Sequence, residues 1–157
     1  MFKHILLPLD GSDLAEKALP LAVALAHQFG SEIILIRMVE VFYPTLLAPH
    51  LTSATAVTIS ESYAQAHRAA EDYLLAQQAH LRQQGLNVDV TICEGPPADG
   101  ILYTASEYDV DCIVMSTHGR GGLARWTLGS VADKVARHAP CPVLLVRQNA
   151  VIDQDNS

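Results

Sequence analysis

Paired cysteines are missing from this sequence. Cys93, Cys112 and Cys141 are odd in number, lie far apart and stand in or beside apolar runs, without a Cys-x-x-Cys or other metal spacing. That pattern argues against a disulfide framework and reads as buried or near-buried thiols in a reducing cytosol. The seven histidines are scattered too, none paired at ligand spacing beside a further donor. A metal site built by the protein alone is therefore not expected. No apolar run reaches the roughly 18 residues of a membrane span. The amino-terminal MFKHILLPLDGS has a lysine and an apolar stretch, but a strand and turn pattern follows in place of a small-residue cleavage site. Neither export nor membrane insertion is expected, and the cytoplasm is the expected compartment. Basic residues are also few, ten Lys and Arg against seventeen Asp and Glu, for a net charge of −7. Nucleic-acid phosphates are repelled by such a surface unless a basic patch gathers, and none is visible. A phosphorylated small molecule is still admissible, because backbone N–H groups and a helix amino terminus supply positive potential locally.

What the sequence has is apolar material in a regular order. Half of the 157 residues are hydrophobic, enough for one well-filled domain of the usual size. Lys3 to Leu9 reads as a buried strand ending in the turn Asp10-Gly11-Ser12. Leu14, Ala18, Leu21, Ala22, Leu25 and Phe29 then recur at helical spacing, with Ser12 or Asp13 as cap and Gly30 as stop. Pro20 lies inside that helix and removes a donor, which predicts a kink or a loosened turn. Glu32 to Val41 is a second, nearly continuous apolar strand. The pattern lapses over about 43–60, read as a flexible loop, and resumes as a helix from about Glu61 to Gln84, closed by Gly85. Strands at Val88 to Cys93, Asp111 to Ser116 and Val143 to Arg147 alternate with helices at Ala98 to Glu107, weakened by Gly100, and Ser130 to His138. Such alternation predicts a single doubly wound α/β domain over 1–147, a five-stranded parallel sheet with helices on both faces, and a frayed polar tail at 148–157.

Ligands of such sheets bind beyond the carboxyl ends of the strands, where the winding reverses. Turn residues gather at two such ends, Asp10-Gly11-Ser12 and His118-Gly119-Arg120-Gly121-Gly122. Gly119, Gly121 and Gly122 would let successive N–H groups turn toward one anion. Gly129-Ser130-Val131 opens a helix whose free N–H groups would attract a second phosphate group, with Ser130 adding a hydroxyl or capping the helix. A tight turn with a capping serine would use the same residues. Asp10, at the tip of a buried strand, has few structural duties beyond capping. A Gly129→Val change would fill the phosphate approach and resist a positive φ.

Ser116-x2-Gly119-x9-Gly129-Ser130 closely resembles the G-x2-G-x9-G-[S/T] signature of the ATP-binding universal stress proteins, with serine for the first glycine. The likeness runs from KHILLPLDGSDLAEKAL through DCIVMSTHGRGG to GSVADKVARHAPCPVLLV. It implies an adenine nucleotide α-hydrolase-like fold. It also implies that Pro8, Leu9 and Asp10 line the adenine and ribose side, with Met38 and Met115 packing on the base. Ser116, His118 and Gly119 would lie near the ribose and phosphates, and Gly129, Ser130 and Val131 at the phosphates, with Arg120 a further candidate contact. Ser116 would crowd the nucleotide only if its φ had to be positive. His118 and Arg120 also suit a loop packing against itself or facing water. The implied ligand is ATP, or ADP or AMP, with any Mg2+ carried by the phosphates, and the implied assembly a homodimer through Pro142 to Arg147.

Three uses remain open: a nucleotide-dependent regulatory homodimer of the stress response, a slow ATP hydrolase, and an interaction module with a vestigial pocket. The first is preferred. No G-x4-GK[ST] loop and no lysine within the glycine loop is present to neutralise developing charge, so no catalytic residue is assigned and turnover should be feeble or absent.

Overall fold

Strands that are apolar on both sides need a cover on both sides, and here each face of the sheet has one. The computed structural model describes residues 2–40, 53–117 and 128–147. It places β1 (His4–Pro8), β2 (Glu32–Val39), β3 (Asn87–Glu94), β4 (Cys112–Ser116) and β5 (Val143–Val146) in one sheet of order β3-β2-β1-β4-β5. Every pairing is parallel, the doubly wound arrangement expected. Between them run α1 (Asp13–Glu16), α2 (Leu19–Phe29), α3 (Ser53–Gln83), α4 (Pro97–Glu107) and α5 (Ser130–His138).

Side-chain alternation along β1 sorts the core into two layers. Ile5 and Leu7 face Ala15, Ala22 and Leu74 of α1, α2 and α3, while Leu6 faces Ala98, Ile101 and Val135 of α4 and α5. Ile5, Leu6 and Leu7 are all fully buried, and each contributes about 1.5–3 kcal/mol through that burial. Three consecutive residues buried on alternating sides require a central strand, which β1 is. The edge strand β3 is exposed at both ends and at Asp89.

Two helices differ from expectation. The first is broken into α1 and α2. Ala18 N–H bonds Ala15 O at 3.1 Å in a tightened turn, and Ala22 N–H bonds Ala18 O at 3.1 Å. Pro20, at the start of α2, has no N–H to carry the ladder back, so the predicted kink is a full break. Of the loop expected over about 43–60, residues 53–60 are helical, because α3 begins at Ser53; the part at 43–52 lies outside the described residues. Thr55, Val57, Thr58 and Ile59 are β-branched and weak helix formers. A helix already nucleated downstream extends through them at little cost.

The amino ends of the strands are fastened by Asp111. Its Oδ2 accepts the Lys3 and His4 N–H groups at 2.7 and 3.0 Å, and these bonds, that from His4 first, hold its carboxyl below the usual range. Among the described residues no helix is long and apolar enough to cross a membrane.

Candidate functional site

The chain winds from β1 outward to β3, then crosses to β4 and β5 on the other side. The reversal therefore lies between β1 and β4, and their carboxyl ends frame the crevice where doubly wound sheets hold ligands.

At the end of β1, Pro8 pairs with Ile36 and Leu9 N–H bonds Ile36 O at 2.9 Å. The Leu9 side chain is 2% exposed and belongs to the core, so only its backbone is placed to line a cleft. Asp10 Oδ1 accepts both the Ser12 N–H at 2.9 Å and the Ser12 hydroxyl at 2.5 Å. Ser12 Oγ in turn accepts the Ala15 N–H at 3.2 Å, as N-cap of α1. Ser12 rather than Asp13 is thus the cap. Asp10 has more structural duty than its position suggested, because it orients that cap.

At the end of β4, Ser116 is buried and aligned with Val146 of β5. Thr117 N–H continues the ladder to Val146 O at 3.0 Å, while Thr117 O accepts the Gly129 N–H at 2.9 Å. The chain leaves the sheet at Thr117 and returns beside it at Gly129, so α5 starts at the crevice. Gly129 is the N-cap, φ −61° and ψ 149°, and makes no side-chain cap bond. Ser130 is therefore the first helical residue and not the cap. The first-turn N–H groups, from Ser130 onward, have no acceptor inside the helix. The positive φ expected at Gly129 is absent. Ser116 is in strand conformation, and the crowding tied to a positive φ does not arise.

The remaining expected contacts are at different depths. Met115 is buried beneath α4 and α5. Met38 is half-buried and packs against the same layer. Its Cε and Sδ occupy the space that a Cβ at Gly100 would fill. Gly100, a weak residue for a helix interior, is there to admit that thioether. Val131 is half-buried against this layer as well. His118, Gly119 and Arg120, with Gly121 and Gly122, lie outside the described residues. Of the expected contacts that are described, Asp10 alone carries an ionisable side chain, and it is engaged with Ser12. Such a set can hold a ligand but offers no acid and base pair.

One group escaped the sequence reading. Arg37 lies over the Tyr73 ring, 5.0 Å from its centroid, and its guanidinium is 3.1–3.3 Å from the Cβ position of Gly11, whose φ is +80°. Tyr73 Oη donates to Glu16 at 2.7 Å. Burial, then that hydrogen bond and the Glu16 charge, push the phenol well above its ordinary range, with Arg37 acting in the opposite sense. The available signal was a lone cation in the apolar run EIILIRMV. Away from the crevice, Cys112 is buried and its thiol is pushed up to about 11, mainly by burial, so it stays protonated and inert.

Comparison with known proteins bears on this geometry. Residues 1–147 match the model of the universal stress protein family. A universal stress protein of Thermus aquaticus is 36% identical over 155 residues, with 94% of this chain and all of that one covered. The solved structure of MJ0577, a universal stress protein of Methanocaldococcus jannaschii, superposes with a TM-score of 0.81 at 27% identity, covering 96% of this chain and 99% of that one. Two more distant structures share the fold, a universal stress protein in complex with cAMP (TM-score 0.57, 22% identity, 93% and 97% covered) and an Arabidopsis thaliana family member with AMP bound (0.57, 16%, 94% and 93%).

Proposed function

The chain belongs to the universal stress protein family, and from that premise we propose that it is a nucleotide-dependent regulatory protein that holds ATP with little or no turnover. The observation that carries this reading is the Thr117 to Gly129 hydrogen bond, which returns the chain so that α5 begins, without a side-chain cap, where β1 and β4 part. A helix of nine residues that opens on a glycine directs first-turn N–H groups, which have no acceptor within the helix, and its positive dipole end at one place, and a phosphate group answers both.

In this reading Gly129, Ser130 and Val131 receive the phosphates through backbone N–H groups and the Ser130 hydroxyl. Ser116, with His118, Gly119 and Arg120, completes the phosphate and ribose side. Pro8, the Leu9 backbone and Asp10 border the ribose and adenine, and Met38 and Met115 form the apolar floor beneath the base. The adenine nucleotides bound by distant members of the family support the choice of ligand. ATP is the preferred form, ADP and AMP the smaller alternatives, and Mg2+ enters only on the phosphates. The sequence has no G-x4-GK[ST] loop and no lysine within the glycine loop, which supports holding over hydrolysis.

The protein acts in the cytoplasm as a homodimer joined along Pro142 to Arg147. Support for the dimer comes from β5, which among the described residues is an edge strand paired on one side, with Leu144 exposed. Mass spectrometry of nucleotide released from purified protein, followed by calorimetry with ATP and Mg2+, tests the reading. Co-purified adenine nucleotide and saturable heat are expected. Protein that carries none and gives no heat would be an interaction module instead, and steady-state hydrolysis above about 1 s⁻¹, the lower edge of ordinary enzyme turnover, would make it an enzyme.

A further inference from the structure

We propose that Arg37 is a positioning residue that holds the Asp10 to Ser12 turn in its ligand-facing shape from the opposite face of the sheet. Its consequence for binding rests on the nucleotide reading above; the positioning itself does not. Successive residues of a strand point to opposite faces. Met38 reaches Gly100 of α4, on the side where α5 packs, and Arg37 reaches Tyr73 of α3 on the other. Arg37 therefore acts from behind the turn rather than among the phosphates.

The contacts close a circuit. The guanidinium lies against Gly11, whose missing Cβ would stand 3.1 Å from one of its terminal nitrogens. The same guanidinium lies over the Tyr73 ring, 5.0 Å from its centroid, within cation–π range. Tyr73 is fixed by its hydrogen bond to Glu16, which also accepts Gln77 Nε2 at 3.2 Å. Glu16 ends α1, the helix that Ser12 caps and Asp10 orients through Ser12. Turn, helix, tyrosine and arginine thus restrain one another. A flat guanidinium suits a slot between a ring and a peptide, whereas an ammonium presents no plane to either.

Gly11 consequently has two reasons to be glycine, its φ of +80° and the cation pressed against it. An arginine within an otherwise apolar strand carries a desolvation cost, and the restraint it places on this turn is the compensating role.

Arg37→Met keeps the length and removes both charge and plane. In the nucleotide-free variant, hydrogen exchange at the Ser12 and Ala15 amides should accelerate at least about tenfold, the factor that corresponds to loss of one such contact, while Leu7 and Leu35 keep their protection. Affinities for ATP and for adenosine should fall together, by about tenfold each, because the turn borders base and ribose. Tyr73→Leu, which keeps Arg37 and removes its platform, should shift the same readouts in the same direction by less, and it decides the matter if the first variant does not fold. Unchanged exchange at Ser12 and Ala15 would overturn the proposal, as would a loss of ATP affinity with adenosine affinity intact, which would mean direct phosphate contact. Wild-type protein that binds neither ligand would remove the nucleotide reading, and the exchange rates would still decide the positioning role.

Discussion

Two strand-to-helix connections meet at the crevice, and they satisfy their helices in opposite ways. After β1 the turn is closed by its own side chains, Asp10 holding Ser12 and Ser12 capping α1, a helix of four residues. After β4 a backbone bond, Gly129 N–H to Thr117 O, brings the chain back, and the nine-residue α5 begins on a glycine with no side-chain cap. A capping side chain is worth about 1 kcal/mol over alanine but only roughly a few tenths over glycine, so α5 gives up little by starting on Gly129. The first end is shaped by its own side chains, and on the nucleotide reading the second offers its first-turn donors to a ligand.

The largest expected effect comes from giving the second connection the chemistry of the first. Gly129→Asp would place a carboxylate at the N-cap of α5, and calorimetry should show ATP affinity lowered by about a hundredfold or more. The melting temperature should hold or rise slightly, since aspartate caps at least as well as glycine and complements the dipole. Unaltered affinity in the folded variant would erase the distinction between the two ends. Next in size is Gly11→Ala, which places a side chain at φ +80° beside Arg37. Urea denaturation should report a loss of about 1–3 kcal/mol, and an unaltered midpoint would show that the turn relaxes freely. Ser12→Ala removes the cap and should cost about 1 kcal/mol by the same measurement.

The smallest effect lies at the other end of the sheet, where no ligand is expected. The Asp111 carboxyl is held below its ordinary value in the folded protein, mainly by the His4 and Lys3 N–H groups. A depressed folded value means that its contribution is fully present above the unfolded carboxylate range, about pH 4, and is lost as pH falls through the folded value. Thermal denaturation from pH 6 downward should therefore fall less steeply for Asp111→Asn than for wild type, with ATP affinity equal in the two at pH 7.

Much of this was legible in the chain. The apolar run Lys3 to Leu9 marked a buried strand because only a strand covered on both faces is apolar on both, and Gly30, at φ +66°, ended α2 as its place after Phe29 predicted. Serine for glycine at 116 left the signature recognisable, and the family is the one the motif pointed to. Other features were not legible. Ser53 to Ser60 read as loop because propensity is a local quantity, whereas helix extension depends on what lies downstream. The thioether of Met38 seated at Gly100, and the guanidinium of Arg37 seated at Gly11, join residues far apart in sequence, and neither glycine shows its neighbour in the chain.

Periodicity, glycine stops and crossover handedness act over short stretches, so the order of strands and helices, the parallel sense of the sheet and the Asp10-Gly11-Ser12 turn could be read from the chain, while the turn expected at His118 to Gly122 lies outside the described residues. Only the tertiary structure decided that Ser12 is a cap and Ser130 is not, that Leu9 turns inward, and that Thr117 receives Gly129. Those outcomes depend on which donors and acceptors meet once distant segments are packed, and a hydrogen bond is set by angstroms in space rather than by spacing along the chain.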